Sequence, residues 1–249
     1  MADLLKSNSE LRKDRIWNWT LPAWNVRLSS GKLFKTCPNA GVCAQYCYAR
    51  NGTFMFSNVR SAHLRNLEMV LDAPNEWTDA INAELSKPRF RPNGEPRSFS
   101  NMVEDEWLSE WAKNGGSAVR IHDSGDFFSE EYLDLWMDIA EKNPDVLFYA
   151  YTKEVAMFKK RKFFPVNFRY LFSTGGLQDD LIDADSDRHA DVFPTPEAIE
   201  DAGYVSQDAS DLLAIMLNTT RIGITANNIK HFNKKMAGRR FSELTIKKK

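Results

Sequence analysis

A chain of 249 residues, 43% hydrophobic and 27% charged, suits one large domain or two small ones, and its seven Trp and sixteen Phe give ample material for a core. A formal net charge of −1 excludes the global positive field that would point to nucleic acid. No apolar run approaches the roughly 18 residues of a membrane span. The start Met1-Ala2-Asp3-Leu4-Leu5-Lys6 turns polar at once, so the expectation is no signal peptide, no membrane, and a reducing cytoplasmic setting.

After a polar lead, alternation in Ala23-Trp24-Asn25-Val26-Arg27-Leu28 predicts a first strand, closed by a turn at Ser29-Ser30-Gly31. A loop carrying every cysteine of the chain follows. Asn58 is placed to cap a helix running to about Leu71, with Leu64, Leu67 and Leu71 on one face. A second helix from about Asn75 carries Trp77, Ile81 and Leu85. Residues 88–96 read as a loop, and a third helix, about 102–113, stops at Asn114-Gly115-Gly116.

Residues 118–122 read as a short strand, followed by Asp123-Ser124-Gly125-Asp126. Ser129 then caps a helix whose apolar positions Tyr132, Leu133, Trp136, Ile139 and Ala140 keep helical spacing up to Asn143-Pro144. Residues 146–151 are almost continuously apolar, as a strand covered on both faces must be. A helix over 154–162 leads into a strand over 168–173 that ends in Thr174-Gly175-Gly176. Residues 179–211 hold eleven acidic side chains against one basic and read as a solvated loop region, with helices near 196–202 and 208–217. A strand over 221–225 and a helix from Asn227 precede a basic tail, about 230–249, that reads as a solvated end.

Strand, helix, strand, helix, strand over residues 118–173 predicts a parallel sheet with right-handed crossovers. Such sheets place their chemistry at the carboxyl ends of the strands. Here those ends are Ser124-Gly125-Asp126, Thr152-Lys153 and Ser173-Thr174-Gly175-Gly176. The cysteine loop also follows a strand, so four polar or ligand-bearing loops are expected on one rim.

The cysteines read Cys37-Pro-Asn-Ala-Gly-Val-Cys43-Ala-Gln-Tyr-Cys47. Buried core cysteine and redox or disulfide chemistry are alternatives. Clustering on one short loop, with no thiol elsewhere and an odd number for pairing, favours a metal site. Three local thiolates suit an iron–sulfur cluster with one open iron, or zinc with a fourth ligand that is not cysteine. Arg120 and His122 lie two apart on one strand, so they are expected to share a face. His122 is then a core histidine, a substrate or proton-transfer group, or the fourth zinc ligand.

The pattern resembles the radical S-adenosylmethionine (radical SAM) enzymes, in which a loop after the first barrel strand holds three cysteines, usually spaced C-x3-C-x2-C, with an aromatic residue before the third. Tyr46 stands before Cys47, although the spacing here is longer. The chain also looks like the phage gene product 88 family, on T-C-P-N-A-G-V-C-A-Q-Y-C-Y-A, R-I-H-D-S-G-D-F and F-Y-A-Y-T-K. The resemblance implies an α/β fold, a partial (β/α) barrel of the radical SAM type, over residues 1–249, with an inserted helical segment at about 58–113. It implies a [4Fe–4S] cluster on Cys37, Cys43 and Cys47 and S-adenosyl-L-methionine as cofactor. Ser124, Gly125 and Asp126 would lie at the methionine moiety, Asp126 taking its ammonium unless it merely caps the next helix. Tyr46 would pack on adenine unless it is an ordinary buried tyrosine, and Ser173 and Thr174 would touch ribose unless they simply form a turn. Lys153 would take a carboxylate or phosphate unless it is solvated, and His122 and Lys153 are the catalytic candidates. Such an enzyme needs an external electron donor and acts on an unknown small-molecule or nucleic-acid substrate. The alternative is a zinc- or cluster-stabilised binding protein without catalysis.

Overall fold

The structure, a computed structural model, describes residues 3–92, 94, 97, 105–226, 234 and 236–244. It opens with α1 (Ser9–Lys13), β1 (Ile16–Trp19) and a hairpin of β2 (Asn25–Arg27) and β3 (Leu33–Lys35). The cysteine segment follows with its one-turn helix α2 (Cys43–Tyr46), then α3 (Ser57–Asp72), α4 (Pro74–Leu85) and α5 (Glu106–Lys113). Next come β4 (Ser117–Ile121), α6 (Glu130–Lys142), β5 (Val146–Thr152), α7 (Val155–Lys160) and β6 (Phe168–Ser173). The last part holds β7 (His189–Phe193), α8 (Pro196–Asp201), β8 (Val205–Ser206), α9 (Leu213–Met216) and β9 (Arg221–Thr225).

Among the described residues, seven strands form one parallel sheet in the order β1-β4-β5-β6-β7-β9-β8. No pairing joins the two ends, so the α/β class holds but no closed barrel forms. Alternate residues of each strand feed two cores. Val119, Ile121, Phe148 and Ala150 meet Leu67, Trp77, Ile81, Trp136 and Phe158 from α3, α4, α6 and α7. Ala118, Leu147, Tyr149 and Leu171 meet Leu108, Trp111 and Ile215 from α5 and α9. A strand buried on both faces cannot alternate with polar residues, which is why β5 is an unbroken apolar run. The segment read as a helical insertion therefore covers both faces of the sheet.

Ser129 caps α6 through the Tyr132 N–H, and α4 buries Trp77, Ile81 and Leu85 as its spacing implies. Several expectations are corrected. The first strand of the sheet is β1, inside the supposed polar lead, while residues 23–28 belong to the separate hairpin. Asn58 lies within α3, whose cap position is Phe56. The helix at 208–217 contracts to α9. The third helix begins at Glu106, capped by Asp105, and residues 102–104 lie outside the described residues.

The acidic stretch is not all solvated: β7 runs through it between β6 and β9. Asp191 of β7 is fully buried because Thr174 Oγ1, Ser242 Oγ and the Val192 N–H all donate to it. The basic tail is likewise not simply a solvated end. Met236, Phe241 and Leu244 are buried in a small core with Val42, beside the cysteines. The helix expected from Asn227, residues 227–233, and residues 245–249 lie outside the described residues. No helix among the described residues is long and apolar enough to cross a membrane.

Candidate functional site

The carboxyl ends of the strands converge on a cavity of about 400 Å3. Cys37, Cys43 and Cys47 form one wall of it. Backbone hydrogen bonds hold the cysteine segment to the ends of β4 and β6, and the Glu154 side chain holds it to the end of β5. The Asp126 N–H donates to the Thr36 carbonyl at 3.0 Å, the Cys43 N–H to the Gly175 carbonyl at 2.9 Å, and the Leu177 N–H to the Asn39 carbonyl at 2.9 Å. Asn39 also donates through its N–H and side-chain amide to Glu154, at 3.1 and 2.6 Å. The contact is so close that a Cβ at Gly41 would sit 2.6 Å from the Gly176 backbone, which explains glycine there.

All three thiols are free. The Trp24 N–H donates to Cys37 Sγ at 3.3 Å. Burial pushes the Cys37 thiol up to about 12 and the Cys47 thiol up to about 11. Both stay protonated near neutrality unless a cation displaces the proton. Among the described residues no group of three or more His, Cys, Asp or Glu side chains is arranged to hold a metal ion. The mononuclear zinc site with His122 is therefore not formed. A cluster distributes its thiolates over separate irons, so it does not require them to converge on one point. The three thiols share one cavity wall without forming such a group, so a cluster reading rests on their clustering in the sequence and on that shared lining.

The other expected residues fall into two groups. Tyr46, His122, Ser124, Gly125, Asp126, Lys153 and Ser173 line the cavity with the cysteines. Thr174 does not: it is buried and its hydroxyl donates to Asp191 at 2.6 Å. Asp126 is not the cap of α6, since Ser129 fills that place. Its carboxylate instead receives Thr152 Oγ1 at 2.7 Å, the Phe127 N–H at 2.8 Å and the Lys153 N–H at 2.9 Å, tying the β4 loop to the end of β5. Ser124 donates to the Leu21 carbonyl. Gly125 has φ +90°, and a Cβ there would lie 2.7 Å from Leu21 Cβ. Lys153 Nζ donates to Ser173 Oγ at 2.7 Å. The Tyr46 ring lies 5.8 Å from the ring of Phe241, which reaches the cavity from the chain's last described segment.

His122 and Arg120 do not share a face. His122 adopts φ +70°, which breaks the strand alternation and turns its ring against Phe127 and Tyr132. Its Nε2 is 2.9 Å from the Tyr132 hydroxyl, and burial pushes its pKa down to about 3. The ring is neutral near pH 7 and is poorly suited to accept a proton there.

Arg120 belongs with Tyr149 and Tyr151 on the opposite face of the sheet, and with them come residues the sequence did not single out. The Tyr149 hydroxyl donates to Asp211 Oδ2. The Tyr151 hydroxyl faces Gln207 Oε1 at 2.8 Å and Asp211 Oδ1 at 3.2 Å. Arg120 Nη1 lies 3.4 Å from Asp211, and its guanidinium lies 5.3 Å from the Tyr151 ring centroid. Arg120, Tyr151, Gln207 and Asp211 form a second wall of the same cavity. Period-two spacing of Arg120, Tyr149 and Tyr151 on paired strands was the available signal. Nothing local to Gln207 or Asp211 signals their role.

The sequence pattern of the family described as Gene product 88 matches residues 2–248, and the chain belongs to that family. It is 32% identical over 130 residues to the Gene 88 protein of Mycobacterium phage L5, covering 52% of this chain and 47% of that protein. It shows the same identity and coverage with the Gene 88 protein of Mycobacterium phage D29. The chain thus spans about half the length of the curated relatives it matches. No solved structure matches it.

Proposed function

We propose that this member of the Gene product 88 family is a radical SAM-like enzyme with a [4Fe–4S] cluster on Cys37, Cys43 and Cys47. The observation that carries the reading is the joint lining of one cavity by three free thiols and by the carboxyl ends of parallel strands. When bound, such a cluster with S-adenosylmethionine supplies the electron that releases a 5′-deoxyadenosyl radical for hydrogen abstraction.

The chain's own residues supply binding and order. Cys37, Cys43 and Cys47 would hold the cluster, which would supply a coordination position for an amino acid moiety. The Trp24 N–H steadies Cys37 Sγ and favours its thiolate form. Lys153, held by Ser173, presents an ammonium to a carboxylate at the thiol wall. Asp126 fixes the Lys153 backbone while its own oxygens are engaged, so its part is to position that wall. Tyr46 offers an aromatic surface beside Cys47 for a planar base. The electron comes from an external donor, and the substrate is a small molecule or a nucleic acid.

Anaerobic purification and reconstitution test the reading. About four irons per chain, and 5′-deoxyadenosine released on adding dithionite and S-adenosylmethionine, are expected. Stoichiometric zinc with no iron uptake would instead favour a metal-stabilised binding protein. Full iron loading without S-adenosylmethionine binding or 5′-deoxyadenosine would leave a structural or electron-transfer cluster.

A further inference from the structure

The wall opposite the thiols holds a guanidinium whose hydrogen-bonding capacity is largely unused. Arg120 Nη1 is 3.4 Å from Asp211 and 3.9 Å from Asp123, and neither approach makes a hydrogen bond. Its Nε is buried with no partner, and no N–H of Arg120 donates to any described residue. The unpartnered terminal nitrogens are not sealed off as Nε is, so they keep surface on the cavity side. A guanidinium carries five donors, and leaving them unmade in a protein interior is costly.

Charge decides what can satisfy them. Two carboxylates lie within 4 Å of this single guanidinium, Asp211 at 3.4 Å and Asp123 at 3.9 Å. An incoming carboxylate or phosphate would meet both, so the attraction of Arg120 for an anion is largely cancelled. A neutral carbonyl oxygen accepts the same N–H bonds without that repulsion. On the same cavity wall as Arg120 lies Gln207, whose Oε1 accepts from the Tyr151 hydroxyl at 2.8 Å and whose NH2 has no partner among the described residues. Both free groups are donors, so the pair suits a carbonyl oxygen, and the Asp211 and Asp123 carboxylates flanking Arg120 can accept the N–H that an amide carries beside it. The Tyr151 ring, 5.3 Å from the Arg120 guanidinium, adds an aromatic side to the same wall.

We propose that Arg120 and Gln207 form the substrate-recognition subsite of this cavity, and that it takes a neutral planar group of amide or lactam type rather than a carboxylate or a phosphate. The inference rests on the cavity being the reaction site but not on the cluster. It is therefore tested by binding to iron-free protein, while the cluster stands or falls by iron content.

The probes are benzamide, benzoate and benzylamine, which share a ring and differ in the charge of the attached group. Protein-observed NMR titrations, read at Arg120, Tyr151 and Gln207 and so apart from Lys153 on the other wall, should show benzamide binding at least about tenfold more tightly than either charged probe. Arg120→Lys keeps the charge but removes the fork of donors, and should weaken benzamide about tenfold. Gln207→Leu, at a half-buried position, should weaken it several-fold with only a small drop in unfolding temperature, since Asp211 still accepts from the Tyr151 hydroxyl. That second variant decides the matter if Arg120→Lys fails to fold. Tighter binding of benzoate at Arg120 and Gln207 would make this an anion site and overturn the proposal. Preference for benzylamine would mean that the carboxylates dominate, and it too would overturn it. So would benzamide binding that neither variant weakens, or no binding at all.

Discussion

The two walls of the cavity are built by opposite means. The thiol wall comes from one segment of eleven residues, Cys37 to Cys47, anchored through its backbone and through Asn39 to the ends of β4, β5 and β6. Its functional side chains have few partners beyond the Trp24 N–H on Cys37. The polar wall gathers Arg120, Tyr149, Tyr151, Gln207 and Asp211 from across the sheet, and there the side chains hold one another. The first wall is positioned but chemically incomplete, because the Cys37 and Cys47 thiols, raised by burial, hold their protons until a cation replaces them. The second is stable without a ligand apart from the spare donors of Arg120. One wall is therefore expected to respond to metal and to contribute little to folding, and the other to do the reverse.

The sharpest break of this contrast is at the cysteines. Cys37→Ala, Cys43→Ala and Cys47→Ala should each reduce iron and sulfide after anaerobic reconstitution to near background, since three ligands leave no spare. Their metal-free unfolding temperatures should stay within a few degrees of the parent. A single variant with full iron content would refute the assignment of that cysteine. Asp211→Ala should show the opposite pattern. It leaves Arg120 with the more distant Asp123 and strips the acceptor from Tyr149, so a loss of about 3–5 kcal/mol in urea unfolding is expected. An Asp211→Ala protein of unchanged stability would mean that this wall is not held by its charge network.

The same contrast separates what was legible in the sequence from what was not. The cysteines could be read because the site is contiguous, and β4, α6, β5 and β6 because long periodic runs, the Ser129 cap and the Asn143-Pro144 stop all agree. β1 and β7 escaped because short strands bearing Asn18, His189 and Asp191 look like polar loops. The polar groups of β7 are tolerated through partners supplied by the fold, Thr174 and Ser242 for Asp191 and Tyr204 for His189. Gln207 and Asp211 were hidden for the same reason, inside a stretch whose acidic composition reads as solvent-facing. His122 misled because period-two reasoning assumes φ below zero, and its φ is +70°.

A smaller effect is expected where the walls meet the strand ends. Asp126→Asn keeps the shape but leaves one oxygen for three donors, and turns an NH2 toward at least one of them. A loss of about 1.5–3 kcal/mol is expected, with iron loading retained. Loss of iron at unchanged stability would move Asp126 from a positioning role into direct contact with the bound groups.

The smallest effect is a dependence on pH at the link between the cysteine segment and β5. Burial, and then the neighbouring Asp126, push the Glu154 carboxyl up from 4.5 to about 7, although Asn39 donates to it twice. An acid whose folded value lies above its unfolded value binds the extra proton in the folded state between the two. The stability it contributes is thus greatest below about pH 4.5 and is lost as pH rises toward 7. The slope cannot exceed about 1.4 kcal/mol per pH unit for a single group. Glu154→Gln cannot ionise and keeps an acceptor for the Asn39 N–H, so it should flatten this part of the profile while leaving the stability at low pH nearly unchanged. Urea-unfolding free energies at pH 5 and pH 7.5 for both proteins make the comparison. If the parent does not lose stability relative to Glu154→Gln over that interval, Glu154 is already ionised at pH 5 and the link is an ordinary charged hydrogen bond.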